Sequence, residues 1–309
     1  MQFRVRPYRA DDAAAIVAMS DAIDPAYRLD ADAWHPAEQY DTVDVSPFKH
    51  VAVDTLSGEI AGYGAIRTTR LPYARLDLMV HPQWQRRGAG SLLLAQLCAD
   101  LEALTAETAQ VRVRADKPDV VAWLHKRGFA ERHRMYGLRL AVPEANLEPF
   151  QPLLSRIRDQ GIALTTFADE RIHDPACVHK LHALQHAVLP DWPDPDPAPF
   201  QPMAFEDFVR RLAEADALPD ALFIAKADDY YVGYCGMFAL GTAVRPDYRG
   251  QGLATALKVH TIDYAQRHGY RTAITCTAHP AMLAVNEKLG YRHDLTEVRL
   301  IKIVREGGG

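Results

Sequence analysis

A chain that writes the same pattern twice is constrained to fold into two related units, and this one does so. Leu78-Met79-Val80-His81-Pro82-Gln83-Trp84-Gln85-Arg86-Arg87-Gly88-Ala89-Gly90 is matched by Thr242-Ala243-Val244-Arg245-Pro246-Asp247-Tyr248-Arg249-Gly250-Gln251-Gly252-Leu253-Ala254. Val-x-Pro, an aromatic residue, a basic or amide residue and then Gly-x-Gly/Ala recur in step, and Gly252 lies 164 residues after Gly88. A second landmark agrees: Lys288-Leu289-Gly290-Tyr291 follows Lys126-Arg127-Gly128-Phe129 at a distance of 162 residues. With 309 residues there is room for two domains of ordinary size. The expected organisation is a first domain over 1–142, a connecting segment over 143–160 and a second domain over 161–309.

Hydrophobic residues make up 48% and charged residues 24%, which excludes a chain disordered throughout or a fibrous repeat. No apolar run approaches the length of a membrane-spanning helix. The first residues, Met1 to Arg6, alternate instead of forming an apolar signal core. Cys98, Cys177, Cys235 and Cys276 stand far apart, so neither a disulfide framework nor a cysteine zinc site is expected, and a reducing, cytoplasmic location fits. A net charge of −5 argues against general nucleic-acid affinity.

Apolar periodicity gives the same element order in each copy. In the first, strands are expected over 3–8, 50–54, 60–68, 76–80 and 111–114. Helices are expected from Asp11 and Asp12, from Gly90 and from Pro118 to near Gly128. Leu94, Leu97, Leu101 and Leu104 form the stripe of the second of these. In the second copy, strands are expected over 162–167, 222–225, 231–237, 240–244, 273–277 and 298–304. A helix is expected over about 175–189, and two more are marked by Leu253, Leu257 and Tyr264 and by Met282, Val285 and Leu289. Pro190 to Pro202 carries six prolines and three aspartates and is expected to be a semi-rigid loop. The fold class is therefore α/β (α+β), with two tandem domains.

Strand, glycine loop, helix is an arrangement suited to anions. The first amides of a helix have no intrahelical partner, the helix dipole adds partial positive charge, and glycine lets a phosphate approach the backbone. Arg86, Arg87, Arg245 and Arg249 add charge nearby. Neither loop has the lysine of a P-loop, and Leu93 and Thr255 stand where a dinucleotide fingerprint needs its third glycine or alanine. The alternative is a helix-starting turn whose glycines serve packing; two such loops in one context favour the anion site.

These residues resemble the GNAT acetyltransferase superfamily. Gln85-Arg86-Arg87-Gly88-Ala89-Gly90 and Arg249-Gly250-Gln251-Gly252-Leu253-Ala254 both match its [Gln/Arg]-x-x-Gly-x-[Gly/Ala] acetyl-CoA loop after a strand ending in Val-x-Pro. The Gly-Phe and Gly-Tyr endings match its second CoA-contacting helix, and the arrangement is similar to tandem, mycothiol synthase-like acetyltransferases. Pro199 to Phe208 looks typical of the second half of such proteins. The resemblance implies two domains, each a twisted, mixed, mostly antiparallel sheet flanked by helices. It implies acetyl-CoA as co-substrate, its pyrophosphate held by the amides of Arg86, Arg87, Gly88, Ala89, Gly90 and Ser91, or of Gly250, Gln251, Gly252, Leu253, Ala254 and Thr255, with Arg249 beside the second loop. The pantetheine would lie where the strand splays, along Met79 and Val80 or Ala243 and Val244. The amide of Leu78 or Thr242 would face the thioester carbonyl.

The implied reaction is attack by a neutral amine, which needs a route for its proton and an acid for the departing thiolate. Family members often use a tyrosine four residues before the glycine of the second helix. Here that position is Leu124 in the first copy and Asn286 in the second. Asn286 retains hydrogen-bonding capacity and Leu124 does not, so the second copy is favoured for the chemistry. His279 is a candidate base, against the reading of an exposed loop histidine. Asp77 alternates away from Leu76 and Leu78 and reads as a solvated carboxylate. Cys276 reads as a small buried cysteine more readily than as an acetyl acceptor. His179, His182 and His186 share a helix face, but without a helical carboxylate beside them no metal is expected.

Gly62 to Val80 spans 18 residues, whereas Gly233 to Val244 spans 11. The shorter hairpin suggests a more open acceptor cleft in the second copy, with Asp191, Asp194 and Asp196 placed to attract a cationic amine. The expected function is acetyl-CoA-dependent N-acetylation of a small-molecule amine by a monomer or homodimer. No nucleic-acid or membrane partner is expected. The competing readings are catalysis in the first copy and a non-catalytic CoA-binding sensor.

Overall fold

The stretch Lys49-His50-Val51-Ala52-Val53-Asp54 carries the apolar run Val51-Ala52-Val53 and folds as an interior strand, its last four residues buried. The computed structural model describes residues 2–23, 33–34, 48–70, 72–189, 203–215, 218–237 and 240–305. The loop expected over 190–202, with Asp191, Asp194, Asp196 and the start of the Pro199–Phe208 stretch, lies outside them.

The first copy runs β1 (Phe3–Pro7), α1 (Ala13–Ile23), β2 (Ala33–Trp34), β3 (Lys49–Asp54), β4 (Ile60–Arg70), β5 (Tyr73–Val80), α2 (Ala89–Ala103), β6 (Thr108–Arg114), α3 (Pro118–His125) and β7 (Ala130–Ala141). After α4 (Gln151–Asp159), the second runs β8 (Ile162–Thr166), α5 (Phe167–His173), α6 (Cys177–Val188), α7 (Phe205–Ala215), β9 (Leu222–Ala227), β10 (Tyr230–Gly236), β11 (Thr242–Val244), α8 (Leu253–Arg267), β12 (Thr272–Thr277), α9 (Pro280–Lys288) and β13 (Arg292–Ile303).

Local chemistry explains the boundaries. Arg6 Nη1 donates to Asp12 Oδ2 at 2.7 Å, and that oxygen also accepts from the amide of Arg9, fixing the turn that enters α1. The helix expected over about 175–189 begins at Cys177. Pro175 cannot continue α5, and Asp174 Oδ1 accepts from the amide of Ala176 at 2.8 Å. Leu93, Leu94, Leu97 and Leu101 of α2 are all buried against the sheet. Pro118 occupies the first turn of α3, where its missing N–H is no loss, and Asp119 complements the dipole.

The strands form two sheets that do not divide between the copies. A nine-stranded sheet has the order β1-β3-β4-β5-β6-β13-β7-β12-β2, and a four-stranded sheet the order β11-β10-β9-β8. The copies exchange their last strands. β13 pairs antiparallel with β6 from Glu297↔Arg114 to Ile303↔Thr108, and β7 pairs with β12 from Thr272↔Ala141 to Thr277↔Tyr136. The cores are exchanged too. Val298 and Leu300 of β13 pack with Leu97, Leu101 and Val111 of the first copy, and Leu138 and Leu140 of β7 pack with Leu257, Ile262 and Ala273 of the second. Sequence alternation fixes which residues of a strand face a core, but not whose core it is.

Candidate functional site

The strand before each loop is held by its hairpin partner. Gly62 pairs with Val80 and Gly233 with Val244, so the two hairpins are in the same register although the first is longer. Each loop is then tied back to that strand by one side chain. Gln85 Nε2 donates to the carbonyl of Val80 and Arg249 Nε to that of Val244, both at 3.0 Å. The motif's amide or guanidine position thus has a structural task in both copies. The caps Gly88 and Gly252 have φ of +101° and +90°, backbone that an L side chain adopts only with strain.

In the first copy the loop opens outward. Among the described residues, nothing lies within 4 Å of where a Cβ on Gly88 would stand. Three guanidiniums surround this mouth. Arg86 pairs with Asp119, Arg87 lies 5.4 Å from the Trp84 ring centre, and Arg127 Nη2 donates to Ser91 Oγ at 3.0 Å. Arg127 is also stacked 3.9 Å over Trp123, which fixes its charge beside the start of α2. Behind the loop the sheet splits. β5 and β6 pair in parallel only from Tyr73↔Thr108 to Arg75↔Gln110, while residues 76–80 of β5 remain bonded to β4. The edge facing β6 is therefore free over residues 76–80, about 16 Å at roughly 3.3 Å per residue. Leu78, Met79 and Val80 lie along it, and Ala89, Gly90 and Ser91 begin the helix beyond it.

The second copy has the same parts differently covered. β11 bonds to β10 and belongs to the four-stranded sheet, whereas β12 belongs to the other, so Thr242, Ala243 and Val244 also border a gap. Gly250 is open, with φ of +75° and nothing within 4 Å of its would-be Cβ. At Gly252, however, Leu153 Cδ1 is 2.7 Å from that position, and Arg156 Nη2 donates to the carbonyl of Gln251 at 3.0 Å. Both come from α4, in the segment that joins the two copies. Leu253 and Thr255 are buried and Ala254 is half-buried at the head of α8.

The other site candidates are placed as follows. Thr242 Oγ1 is 3.0 Å from Cys235 Sγ. His279 caps α9, its Nδ1 accepting from the amide of Ala281 at 3.2 Å, and is exposed. Asn286 is 0% exposed, and neither side-chain amide atom has a hydrogen-bond partner. Leu124 is buried in the first copy's core. Burial pushes the Cys276 thiol up. Asp77 is not a free solvated carboxylate: it pairs with Arg67 and lies 3.4 Å from Arg75 Nε. His182 and His186 both bond the carbonyl of Met203, at 2.8 and 3.1 Å, while His179 stacks on Phe205. Among the described residues no group of histidine, cysteine and acidic side chains is arranged to hold a metal, and no helix is long and apolar enough to cross a membrane.

Sequence reading did not anticipate the cover supplied by α4, nor Lys258. That lysine is 5% exposed on α8, its Nζ 5.3 Å from the Tyr291 ring centre, and burial lowers its pKa. A connecting helix is expected within 142–160, and Leu153, Leu154 and Ile157 give α4 the apolar stripe by which it packs on the second copy.

The fold has solved counterparts along its whole length. A GCN5-related N-acetyltransferase from Sphaerobacter thermophilus superposes with a TM-score of 0.73 at 20% identity, covering 99% of this chain and 97% of that one. A tandem GNAT protein from the clavulanic acid biosynthesis pathway gives 0.65 at 18%, covering 99% and 100%. A glucosamine N-acetyltransferase region of a fungal multi-domain β-N-acetylglucosaminidase gives 0.72 at 17%, with 96% of this chain and 38% of that chain covered. No curated protein matches the chain. The family model described as acetyltransferase (GNAT) family matches twice, over residues 16–129 and 181–291. With both copies matched, the chain belongs to the GNAT acetyltransferase family as a tandem two-domain acyltransferase, whose co-substrate is acetyl-CoA.

Proposed function

We propose that the chain transfers an acetyl group from acetyl-CoA to the amine of a small molecule, and that the first copy does the chemistry. The observation that carries this reading is the contrast between Gly88, open and ringed by Arg86, Arg87 and Arg127, and Gly252, under Leu153 and Arg156. It departs from the second-copy preference that Leu124 and Asn286 suggest from sequence. A buried leucine removes one proton donor, whereas a covered helix mouth removes the place where a diphosphate is held.

The first copy's residues fit acetyl-CoA. The uncovered amides from Arg86 to Ser91 would take the pyrophosphate, with three guanidiniums adding charge-assisted bonds. Met79 and Val80 offer backbone groups along the free edge to the pantetheine amides, and the Leu78 amide would face the acyl carbonyl. Bound there, acetyl-CoA would supply an activated acetyl group to an amine arriving from the far face of the sheet. Leu124, at the family's tyrosine position, is buried in the core and has no proton to give, so the proton that leaves with the thiol would come from water. The second copy supports the first through β13.

One observation favours a second reading, chemistry in the second copy: Asn286 holds two orphaned amide atoms at the family's tyrosine position. Acetyl transfer to an amine panel by Ser91→Glu and Ala254→Glu variants separates the two. Ser91 is exposed and Ala254 half-buried, and each variant sets a carboxylate at one helix mouth. The first-copy reading expects Ser91→Glu to lose transfer and Ala254→Glu to keep it; the opposite result assigns the chemistry to the second copy.

A further inference from the structure

The sheet face opposite α2 carries an arginine cluster at the foot of the first copy's slot. Arg75 is the last β5 residue paired with β6, and Arg112 lies two residues beyond its partner Gln110, where the strands have begun to part. Arg299 of β13 stands directly across the ladder from Arg112. All three alternate away from the core residues Leu76, Val111, Val113, Val298 and Leu300 and therefore share the face on which an acceptor would meet the slot. Arg299 is 5% exposed. Its Nη2 lies 3.1 Å from Glu297 Oε2, but its Nε and Nη1 are buried with no hydrogen-bond partner.

A buried guanidinium with unused donors is expensive to keep unless something else uses them. Burial, then the neighbouring Arg112 and Arg75, lower the pKa of Arg299 to about 10 against the opposing pull of Glu297, the carboxylate that its Nη2 already meets. We propose that Arg299, supported by Arg112 and Arg75, binds a carboxylate on the acceptor, so that the acceptor is an amine that also carries a carboxylate. This rests on the first copy being the transferring half and names the substrate class of that site. Arg299 is a specificity residue: it holds the acceptor's anion and takes no part in bond making. It also gives the strand exchange a function, because the second copy supplies an acceptor-binding side chain to the first copy's site.

The test uses the full chain and matched acceptors, amino acids and their carboxamides, with free acetyl-CoA binding measured separately. Wild type is expected to favour the carboxylate form by about tenfold or more in kcat/KM, and to gain thermal stability from that form alone without acetyl-CoA. Arg299→Met should erase the preference through KM while leaving acetyl-CoA affinity unchanged, and Arg299→Lys should restore part of it. Equal use of both forms by wild type, or a preference that survives Arg299→Met, overturns the proposal. So does an Arg299→Met chain that loses acetyl-CoA binding, which makes the residue structural. If acetyl-CoA binding proves insensitive to Ser91→Glu, the first-copy reading itself has failed.

Discussion

Arg156 on α4 donates from Nη2 to the carbonyl of Gln251 at 3.0 Å, so one side chain from the connecting segment closes over the second copy's loop. With Leu153 it turns two loops of nearly the same sequence into two different surfaces. Gly88→Ala and Gly252→Ala should therefore differ. Each forces alanine into left-handed backbone, at a cost of about 1–2 kcal/mol. At Gly252 the new methyl also meets Leu153 at 2.7 Å, adding overpacking of about 1–3 kcal/mol. Urea unfolding of the two variants checks this, and equal losses would mean that α4 does not rest on that loop.

The exchanged strands predict a joint response to core damage. Leu300 is 0% exposed in the first copy's core although it belongs to the last strand. Leu300→Ala should lower stability by about 2–5 kcal/mol. The unfolding should remain one transition, because β13 is bonded to β6 and β7 together. Circular dichroism and calorimetry that resolved an early transition of the second copy, with the first intact, would contradict the exchange.

Arg127 is held by Trp123 and Ser91 with its charge beside the start of α2. Arg127→Ala should weaken acetyl-CoA about tenfold, as loss of a charge-assisted bond to phosphate does. The loss should shrink as salt is raised from about 0.05 to 0.5 M, because the contact is at the surface. Titrations of both proteins across that range measure it.

Lys258 is buried and its pKa is lowered by burial, so the unfolded chain binds the proton more tightly than the folded one. Stability must then rise with pH between the folded pKa and the unfolded value of about 10.4. Lys258→Met removes this penalty. Its stability gain over wild type should be greatest below the lowered pKa and should fade as pH approaches about 10.4. Paired denaturation curves at pH 7 and 10 test the sign; a gain that grew with pH would reverse the assignment.

Much of this was legible in the residues. Val-x-Pro, the paired glycines and the leucine stripe of α2 are local signals, and they place strand, loop and helix in each copy because turn chemistry and periodicity act over a few residues. What decided between the copies was not local. Leu153 and Arg156 reach Gln251 and Gly252 across nearly a hundred positions, and Arg299 reaches Arg112 across nearly two hundred. Arg299 carries no local signal of its own beyond its place in the last expected strand. Only strand pairing sets it across from Arg112 of the first copy. Asp77 is a related case: its outward orientation was readable, its pairing with Arg67 was not.

The central claim is that one helix mouth is open to acetyl-CoA, and calorimetric titration of the intact chain tests it most directly. The account predicts one site per chain, abolished by Ser91→Glu and retained in Ala254→Glu. Two sites of similar affinity, or a single site lost only in Ala254→Glu, would contradict it.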